Sequence, residues 1–264
     1  MKIISTICVL ACVSILLSGC AGHEEGTVIL TQDVNLSPLQ HDEINKNYSN
    51  LVDIQDDVTR KYNIGSFTQK YVLKKTQRLG NTIPRFNYLL DVTGAQINLN
   101  YALFTSNLKE SDDNEAVLGL IAHELAHAQH YLYFSLFELL QLGLRYESYE
   151  IKFANSQWAT WVRSYERFTD IQAIAYGYAD ALIKQKEKTL QYIQSIKNSK
   201  EKDNTHQLYE FSAYLNENEI MSLNQDRQLL KKQLQKELDI LEWDVFKRIA
   251  KDFPDTHDAE SGKR

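Results

Sequence analysis

The chain has very little cysteine, and all of it lies near the amino terminus: Cys8, Cys12 and Cys20 are its only cysteines. A fold formed by the residues after Cys20 therefore contains neither a disulfide bond nor a thiolate metal ligand. An excess of positive charge is also lacking, since the net charge is −6 and the sequence pI is about 5.7. No basic patch interleaved with aromatic residues is found, so we expect no nucleic-acid partner.

Long apolar runs and internal repeats are missing as well. Two apolar stretches, residues 3–17 and Tyr131–Leu144, are both shorter than the ~20 residues that a membrane-spanning helix needs. Glu138 interrupts the second stretch, for which we expect a buried core helix; the alternative is a hairpin that dips into a membrane or grips apolar substrates. The hydrophobic content of 43% is sufficient for a core.

Five consecutive residues, His123-Glu124-Leu125-Ala126-His127, carry the clearest chemical signal. Residues four apart lie on one face of an α-helix, so both imidazoles can reach the same metal ion. Glu124 lies beside them, where its carboxylate can take a proton from a metal-bound water. Apolar neighbours from Val117 to Ala128 predict a buried helix that begins at about residue 112. Polar groups in such a helix need partners, which favours a zinc site over histidines that are merely satisfied in a core.

A catalytic zinc site usually has three protein ligands and one open position, so a third ligand is required. His130 is nearest in sequence but lies two helical turns from His123, roughly 10 Å along the axis, so we expect it to be a packing or surface residue. A second helix, around Ser164–Ala173, offers Glu166 and, one turn later, Asp170. Glu166 would complete a His-His-Glu site, and Asp170 would accept the other ring N–H of a liganding histidine. The alternative places both carboxylates on a solvated helix face with neighbouring arginines.

Together the two motifs resemble the gluzincin metallopeptidases of the HtpX and CaaX-prenyl-protease type. That family shows His-Glu-x-x-His followed by Glu-x-x-Ala-Asp, and this chain has Thr169 at the alanine position. The resemblance extends over about residues 70–180. It implies an α+β, predominantly helical gluzincin-type domain with a small sheet, one zinc ion per chain, and Glu124 as the general base in peptide-bond hydrolysis. It also implies that the substrates are misfolded or misassembled envelope proteins.

Two further expectations come from the same resemblance. Gln96–Leu103 alternates like a strand and lies where the family has an edge strand that pairs with the substrate backbone, although the usual Gly-rich stretch is missing here. Family members often carry a Thr-His-Pro element near the end of the domain, and this chain reads Thr256-His257-Asp258. His257 is therefore a candidate oxyanion stabiliser or occasional fourth ligand; the alternative is a surface histidine in a disordered terminus.

The amino terminus predicts where the protein is located. Lys2, the apolar residues 3–17 and Leu17-Ser18-Gly19-Cys20 resemble a bacterial lipoprotein signal, in which Cys20 is lipidated and becomes the first mature residue. An ordinary signal peptide or an uncleaved anchor is the alternative. A multi-acyl anchor would hold the protein stably on a membrane. Because Ala21 stands where aspartate often marks inner-membrane retention, this resemblance favours the periplasmic face of the outer membrane, and a Gram-positive cell surface stays open.

We divide the chain into five segments. These are a lipoprotein signal peptide (1–19), a lipidated tether (20–40), a metallopeptidase core (41–183), a charged helical extension (184–251) and a C-terminal tail (252–264). The length after the signal suits one domain plus an extension.

The residue patterns also predict individual elements. We expect a helix from Ser66 to Gly80 and strands at Phe86–Val92 and about 96–104. Charged side chains crowd residues 184–205, which predicts an exposed helix followed by a linker. Apolar residues at intervals of three and four over 216–251 predict one amphipathic helix packed on its own domain, with a partner-binding coiled coil as the alternative.

The sequence thus predicts a zinc metalloendopeptidase anchored by lipid in a bacterial cell envelope. Two other functions stay open. The protein could be a chaperone-like lipoprotein with a structural metal site, which a fourth protein ligand would favour. It could also be a non-enzymatic envelope scaffold built on the 216–251 helix, which would contain no metal.

Overall fold

A computed structural model describes residues 53–64, 68–74, 79–100, 111–150, 157–198 and 213–254. Within these ranges the chain is predominantly helical and contains one small three-stranded sheet, so the predicted balance of helix and strand is confirmed. Cys20 and His257 lie outside the described residues. The lipid anchor and the role of the C-terminal tail therefore stay predictions.

The sheet consists of β1 (Thr68–Lys74), β2 (Gly80–Phe86) and β3 (Val92–Asn100), in the order β1-β3-β2. β3 is central, parallel to β1 and antiparallel to β2. Ala95, Ile97 and Leu99 alternate along β3 and are fully buried, as expected for a strand whose one face lies on the core. Pro84 suits the edge position of β2, because proline has no N–H to donate to a second neighbouring strand.

Three of the predicted elements are corrected here. The helix expected from Ser66 to Gly80 is wrong, because its residues include β1 and the start of β2. The strand expected at Phe86–Val92 is a hairpin turn, in which the Asn87 side chain accepts hydrogen bonds from the N–H groups of Leu89 and Asp91. The strand around 96–104 is confirmed as far as Asn100, but it is central and not an edge. Pairing with β3 outweighs the local helix signals, which are weak priors.

The helices are numbered in chain order. They are α1 (53–61), α2 (Ser111–Tyr133), α3 (Leu136–Glu150), α4 (Gln157–Ala175), α5 (Ala179–Asn198), α6 (Glu217–Gln225), α7 (Arg227–Leu241) and α8 (Asp244–Lys251). The helix predicted from about residue 112 is α2, and residue 184, where we placed the start of the extension, lies inside α5. None of the helices in the described ranges combines the length and apolar character needed to cross a bilayer.

α2 is the central helix of the domain. It contacts strands β2 and β3 and packs against helices α4 and α5. The contact with α5 is so close that a Cβ at Gly119 would lie 2.1 Å from the Ala181 carbonyl oxygen. Only glycine fits there, since real Cβ contacts below 3.0 Å essentially do not occur. This approach places α2, α4 and α5 together around the polar residues of the two sequence motifs.

The 216–251 segment packs on its own domain, as predicted, but it forms three helices instead of one. Asp226 ends α6 and caps α7, where its side chain accepts from the N–H groups of Gln228 and Leu229. Glu242 ends α7 with a left-handed backbone (φ 62°). The apolar spacing alone does not reveal these breaks, because it continues across them. Arg167 of α4 holds the segment through ion pairs to α6 and α7.

Tyr131–Leu144 is also not one buried helix. α2 ends at Tyr133, and Ser135 forms a reciprocal cap with Glu138 at the start of α3. Glu138 therefore interrupts the apolar run because it caps a helix. On α3, Leu139 and Leu142 are buried and Phe137 is 69% exposed. The expected buried core helix is corrected to the end of α2 followed by a half-exposed amphipathic helix.

Candidate metal centre

Three potential ligand atoms converge between α2 and α4. The Nε2 atoms of His123 and His127 are 3.2 Å apart, and Glu166 Oε2 lies 3.1 Å from the first and 3.3 Å from the second. All three side chains are buried. Ligand atoms of a tetrahedral site with bonds of ~2.0–2.1 Å are about 3.3–3.4 Å apart, so shifts of tenths of an ångström would let these three atoms hold one ion. The donor set therefore fits a metal ion.

Neighbouring side chains direct the lone pairs of these atoms toward each other. His123 Nδ1 lies 2.8 Å from Asp170 Oδ1; because a carboxylate only accepts, this ring nitrogen donates. His127 Nδ1 is 3.5 Å from the Thr169 hydroxyl, whose proton is donated to the Tyr165 carbonyl. Nε2 of each neutral ring then presents a lone pair. Such a cluster of acceptors requires a cation or a proton between its members.

Electrostatics support the same conclusion. Burial lowers the pKa of His123, but hydrogen bonds to Asp170 and Glu166 outweigh it and raise that pKa to about 9. Burial raises the pKa of Glu166, yet the charges of and hydrogen bonds to His127 and His123 hold it well below its usual range. Both directions mean that the site favours positive charge between the imidazoles and the carboxylates.

Tyr146 of α3 orients Glu166, the third candidate ligand, and sequence reasoning missed it. Its hydroxyl donates to Glu166 Oε1, which leaves Oε2 facing the two histidines. Burial and the Glu166 charge both raise the pKa of Tyr146 well above its usual value, so the phenol stays protonated as a donor. No local motif marks Tyr146, because α3 comes close to Glu166 of α4 only in the folded chain.

Asp170 is fully buried and is held by three groups. It contacts His123 Nδ1, accepts from the Leu215 N–H at 3.0 Å, and pairs with Lys186 Nζ at 3.2 Å. Lys186 is 1% exposed, and its Nζ lies 4.2 Å from the ring centroid of Tyr214. The exposed helix predicted at 184–205 is therefore wrong at this residue. Its burial could have been predicted from helical spacing, which places Ala179, Leu182, Lys186 and Ile193 on one face of α5.

The edge strand β2 positions Glu124. The Thr82 hydroxyl donates to Glu124 Oε2 at 2.7 Å. A Cβ at Gly80 would lie only 2.7 Å from Glu124 Oε1, so glycine leaves the space that this carboxylate occupies. Sequence reasoning missed Gly80 and Thr82, because strand β2 is remote in sequence from α2.

A pocket of about 260 Å³ opens at the site. Its lining includes His123, His127, Glu124 and Glu166, together with residues of β2 and α3 on its two walls. The ring of Tyr214 also lines it, 5.4 Å from the His123 ring. A bound ion would therefore face a space large enough for part of a substrate.

His130 belongs to a separate polar cluster in the core. It is fully buried, its Nε2 lies 2.6 Å from Gln172 Oε1, and its Nδ1 lies 3.1 Å from the Tyr165 hydroxyl. Burial first, and the His127 charge second, lower the pKa of His130 to about 3. It is thus a neutral packing residue and not a member of the ligand group.

The structure brings five of the predicted site residues together. His123, His127 and Glu166 form the ligand group, Asp170 contacts His123, and Glu124 shares the pocket. Glu166 and Asp170 are 6% and 0% exposed, so they are not part of a solvated helix face. Chemically, these residues can hold one metal ion beside a carboxylate and an open pocket.

Compared as a whole, the chain matches no protein-family model, no curated protein and no solved structure.

Proposed function

We propose that this protein is a zinc-dependent metalloendopeptidase. The observation that carries the proposal is the three-atom ligand group next to Glu124 and an open pocket. Imidazole and carboxylate ligands in a His-His-Glu set suit zinc, and catalytic zinc sites keep a position open. A structural site would instead have four protein ligands, and the described residues supply three.

His123, His127 and Glu166 would hold the zinc, which when bound lowers the pKa of water and acts as a Lewis acid. Glu124 takes a proton from the attacking water and then delivers it to the leaving amine. The Thr82 hydroxyl donates to Oε2 of this carboxylate and so fixes its orientation in the pocket. Asp170 and Tyr146 keep His123 and Glu166 in orientation, as outer-shell partners of ligands do.

The pocket favours an endopeptidase over an exopeptidase. Among its described lining residues there is no lysine or arginine to bind a substrate carboxylate. The acidic residues of this lining, Glu124 and Glu166, already belong to the proposed chemistry, so the described part of the pocket offers no further carboxylate to a free amino group. A chain interior, which has neither terminus, fits such a lining.

The substrate backbone would run along β2. The gluzincin resemblance implies pairing with an edge strand, and the edge strand beside the pocket is β2. The Thr82 carbonyl already accepts from the Tyr131 hydroxyl at 2.8 Å, so a substrate would pair with the other backbone groups of this edge. Main-chain hydrogen bonds do not depend on the side chains of the substrate, so this pairing suits substrates of many sequences, in line with the proposed misfolded envelope proteins.

The decisive experiment compares zinc-loaded full-length protein with Glu124→Gln. Glu124 is not a ligand in this proposal, so the variant should keep about one zinc per chain and lose roughly 10²–10⁴-fold in casein cleavage. Glu115→Gln, an exposed residue of the same helix, is the matched control and should remain active. Full activity of Glu124→Gln would contradict the proposed base.

The rival function, a chaperone-like lipoprotein with a structural metal, makes a different prediction. X-ray absorption would then show four protein ligands on the zinc, and wild-type protein would suppress aggregation of an unfolded client without cleaving it. Three protein ligands plus one light solvent ligand would favour the peptidase.

The proposed location depends on Cys20. Lipidation acts through its thiol, so Cys20→Ala should block lipid attachment. Mass spectrometry of the native amino terminus should show acylated Cys20 as the first residue. An unmodified Cys20, or cleavage elsewhere, would remove the envelope anchor from the proposal while leaving the zinc chemistry intact.

A further inference from the structure

Two helical glycines in the described chain have different reasons to be glycine. Glycine costs about 1 kcal/mol relative to alanine inside a helix, so each needs an explanation. Gly119 has one, because a Cβ there would meet the backbone of α5. At Gly143 of α3 a Cβ would meet nothing within 4 Å. Packing therefore does not require glycine at 143, and the space beside it is open.

Gly143 is exposed and lines the pocket at the metal centre. Leu136, Leu139, Leu140 and Gly143 follow one another at helical spacing along a single face of α3, and all four line the pocket. Tyr146, three residues further, holds Glu166. Gly143 thus lies between the leucines and the tyrosine that contacts a proposed ligand. Because Gly143 has no side chain, this part of the lining is left open.

The part of the lining that comes from β2 includes apolar residues as well as Asn81 and Thr82. Ile83, Pro84 and Phe86 of β2 face the pocket together with the α3 leucines. A charged substrate group between these walls would lose its hydration without gaining a partner, which is unfavourable. A volume of about 260 Å³ is below the roughly 300–1,000 Å³ typical of drug-sized ligands. The space therefore suits one or two side chains of a longer substrate.

We propose that this pocket selects peptide segments with a bulky apolar side chain next to the scissile bond, and that Gly143 sets the size limit. The proposal rests on the peptidase function proposed above and adds its substrate class. Segments of this kind are buried in folded proteins and become exposed on unfolding. The pocket therefore recognises the feature that distinguishes unfolded from folded substrates.

The test uses zinc-loaded full-length protein and a series of quenched peptides that differ only beside the scissile bond, with Phe, Leu, Ala, Lys or Asp. Wild type should prefer Phe and Leu over Lys and Asp by at least roughly tenfold in kcat/KM. Gly143→Leu fills this open part of the lining and should lower kcat/KM for the Phe peptide at least roughly tenfold relative to the Ala peptide. Gln141→Leu, on the same helix but outside the lining, should leave the preference unchanged.

Folding does not confound this comparison. Leucine is a better helix former than glycine, and no atom obstructs a Cβ at position 143. The thermal unfolding midpoint of Gly143→Leu should equal or exceed that of wild type. An equal loss of kcat/KM for all peptides, or no loss for any, would overturn the role of Gly143.

A binding measurement separates this proposal from the peptidase function. Hydroxamates bind zinc directly, so benzyl and methyl hydroxamates can be compared by calorimetry without any cleavage. Tighter binding of the benzyl compound in wild type, lost in Gly143→Leu, supports the apolar pocket even if no peptide is cleaved, and peptide hydrolysis would then be rejected. Cleavage without discrimination between side chains rejects the pocket and keeps the peptidase. Absence of both cleavage and selective binding rejects both proposals.

Discussion

Two buried polar clusters lie side by side between α2 and α4, and each contains histidine from α2. In the metal cluster, the imidazoles of His123 and His127 face the carboxylates of Glu166 and Asp170. In the amide cluster, His130 faces the amide oxygen of Gln172 and the hydroxyl of Tyr165.

The two clusters shift the pKa of their histidines in opposite directions. The pKa of His123 is raised to about 9, because its hydrogen bonds to carboxylates outweigh the effect of burial. The pKa of His130 is lowered to about 3, mainly by burial. The charge of the partner therefore decides whether a buried histidine belongs to a cation site or to the core.

The clusters also differ in their access to solvent. The metal cluster lines the pocket. The amide cluster continues inward from Gln172 to Gln129, whose Nε2 donates to the Tyr62 carbonyl at 2.7 Å. Its polar groups thus satisfy one another and form no surface for a ligand. A cluster can act on a substrate only where its last acceptor faces open space.

The largest expected contrast between the clusters is in metal content. His127→Ala removes one of three proposed ligands, so we expect zinc stoichiometry to fall from about one per chain to near zero after dialysis. His130→Ala should keep its zinc. It should instead lose about 1–3 kcal/mol in the free energy of unfolding, because Gln172 and Tyr165 lose a buried partner. Elemental analysis measures the zinc content and urea unfolding measures the stability. Zinc loss from both variants would contradict the assignment of His127 to the metal site and of His130 to the core.

The next contrast concerns Lys186, which belongs to the metal cluster only. Lys186→Met leaves Asp170 buried without its ammonium partner, so we expect a loss of about 3–5 kcal/mol in unfolding free energy. Adding Asp170→Asn removes the uncompensated charge and should restore part of it. Lys247→Met breaks an exposed pair with Asp244 and, as the control, should cost about 1 kcal/mol or less. Equal effects of the two lysine variants in urea unfolding would show that Lys186 is not a buried partner.

The smallest contrast is in pH dependence, measured on the metal-free protein. The pKa of His123 in the folded protein, about 9, exceeds its value of ~6.5 in the unfolded chain. The contribution of His123 to the free energy of unfolding is therefore complete below pH 6.5 and is lost as the pH rises through 9. The pKa of His130 in the folded protein, about 3, is below its value in the unfolded chain. The contribution of His130 to the free energy of unfolding is therefore complete above pH 6.5, and it falls at lower pH because only the unfolded chain gains a proton there.

Metal-free stability should therefore be greatest near pH 6.5, with slopes of up to about 1.4 kcal/mol per pH unit on each side. Urea unfolding at several pH values measures both the decrease in stability toward acid (the acid arm) and the decrease toward alkali (the alkaline arm). His130→Ala should flatten the arm between pH 6.5 and 5 and leave the alkaline arm unchanged. Zinc should remove the alkaline arm, since a histidine that binds metal is already deprotonated. If the acid arm persists in His130→Ala, the loss of stability in acid comes from groups other than His130.

The site was predictable where its geometry is local. Helical periodicity alone places His123 and His127 on one face with Glu124 beside them, and it separates His130 from them by its distance along the axis. The same periodicity places Asp170 one turn after Glu166. The sheet was less predictable, because β1 and β2 are stabilised by pairing with β3 and local residue preferences are weaker than such pairing.

By itself the sequence determined which residue types are available and which of them share a helix face, since both follow from the order of residues and 3.6 residues per turn. Only the tertiary structure decided that Glu166 meets the two histidines, that Tyr146 and Lys186 support the ligand group, and that Thr82 holds Glu124. These contacts join elements that are far apart in sequence. They form because burying the apolar faces of α2, α4 and α5 brings the helices together, and no local pattern encodes which polar groups then meet.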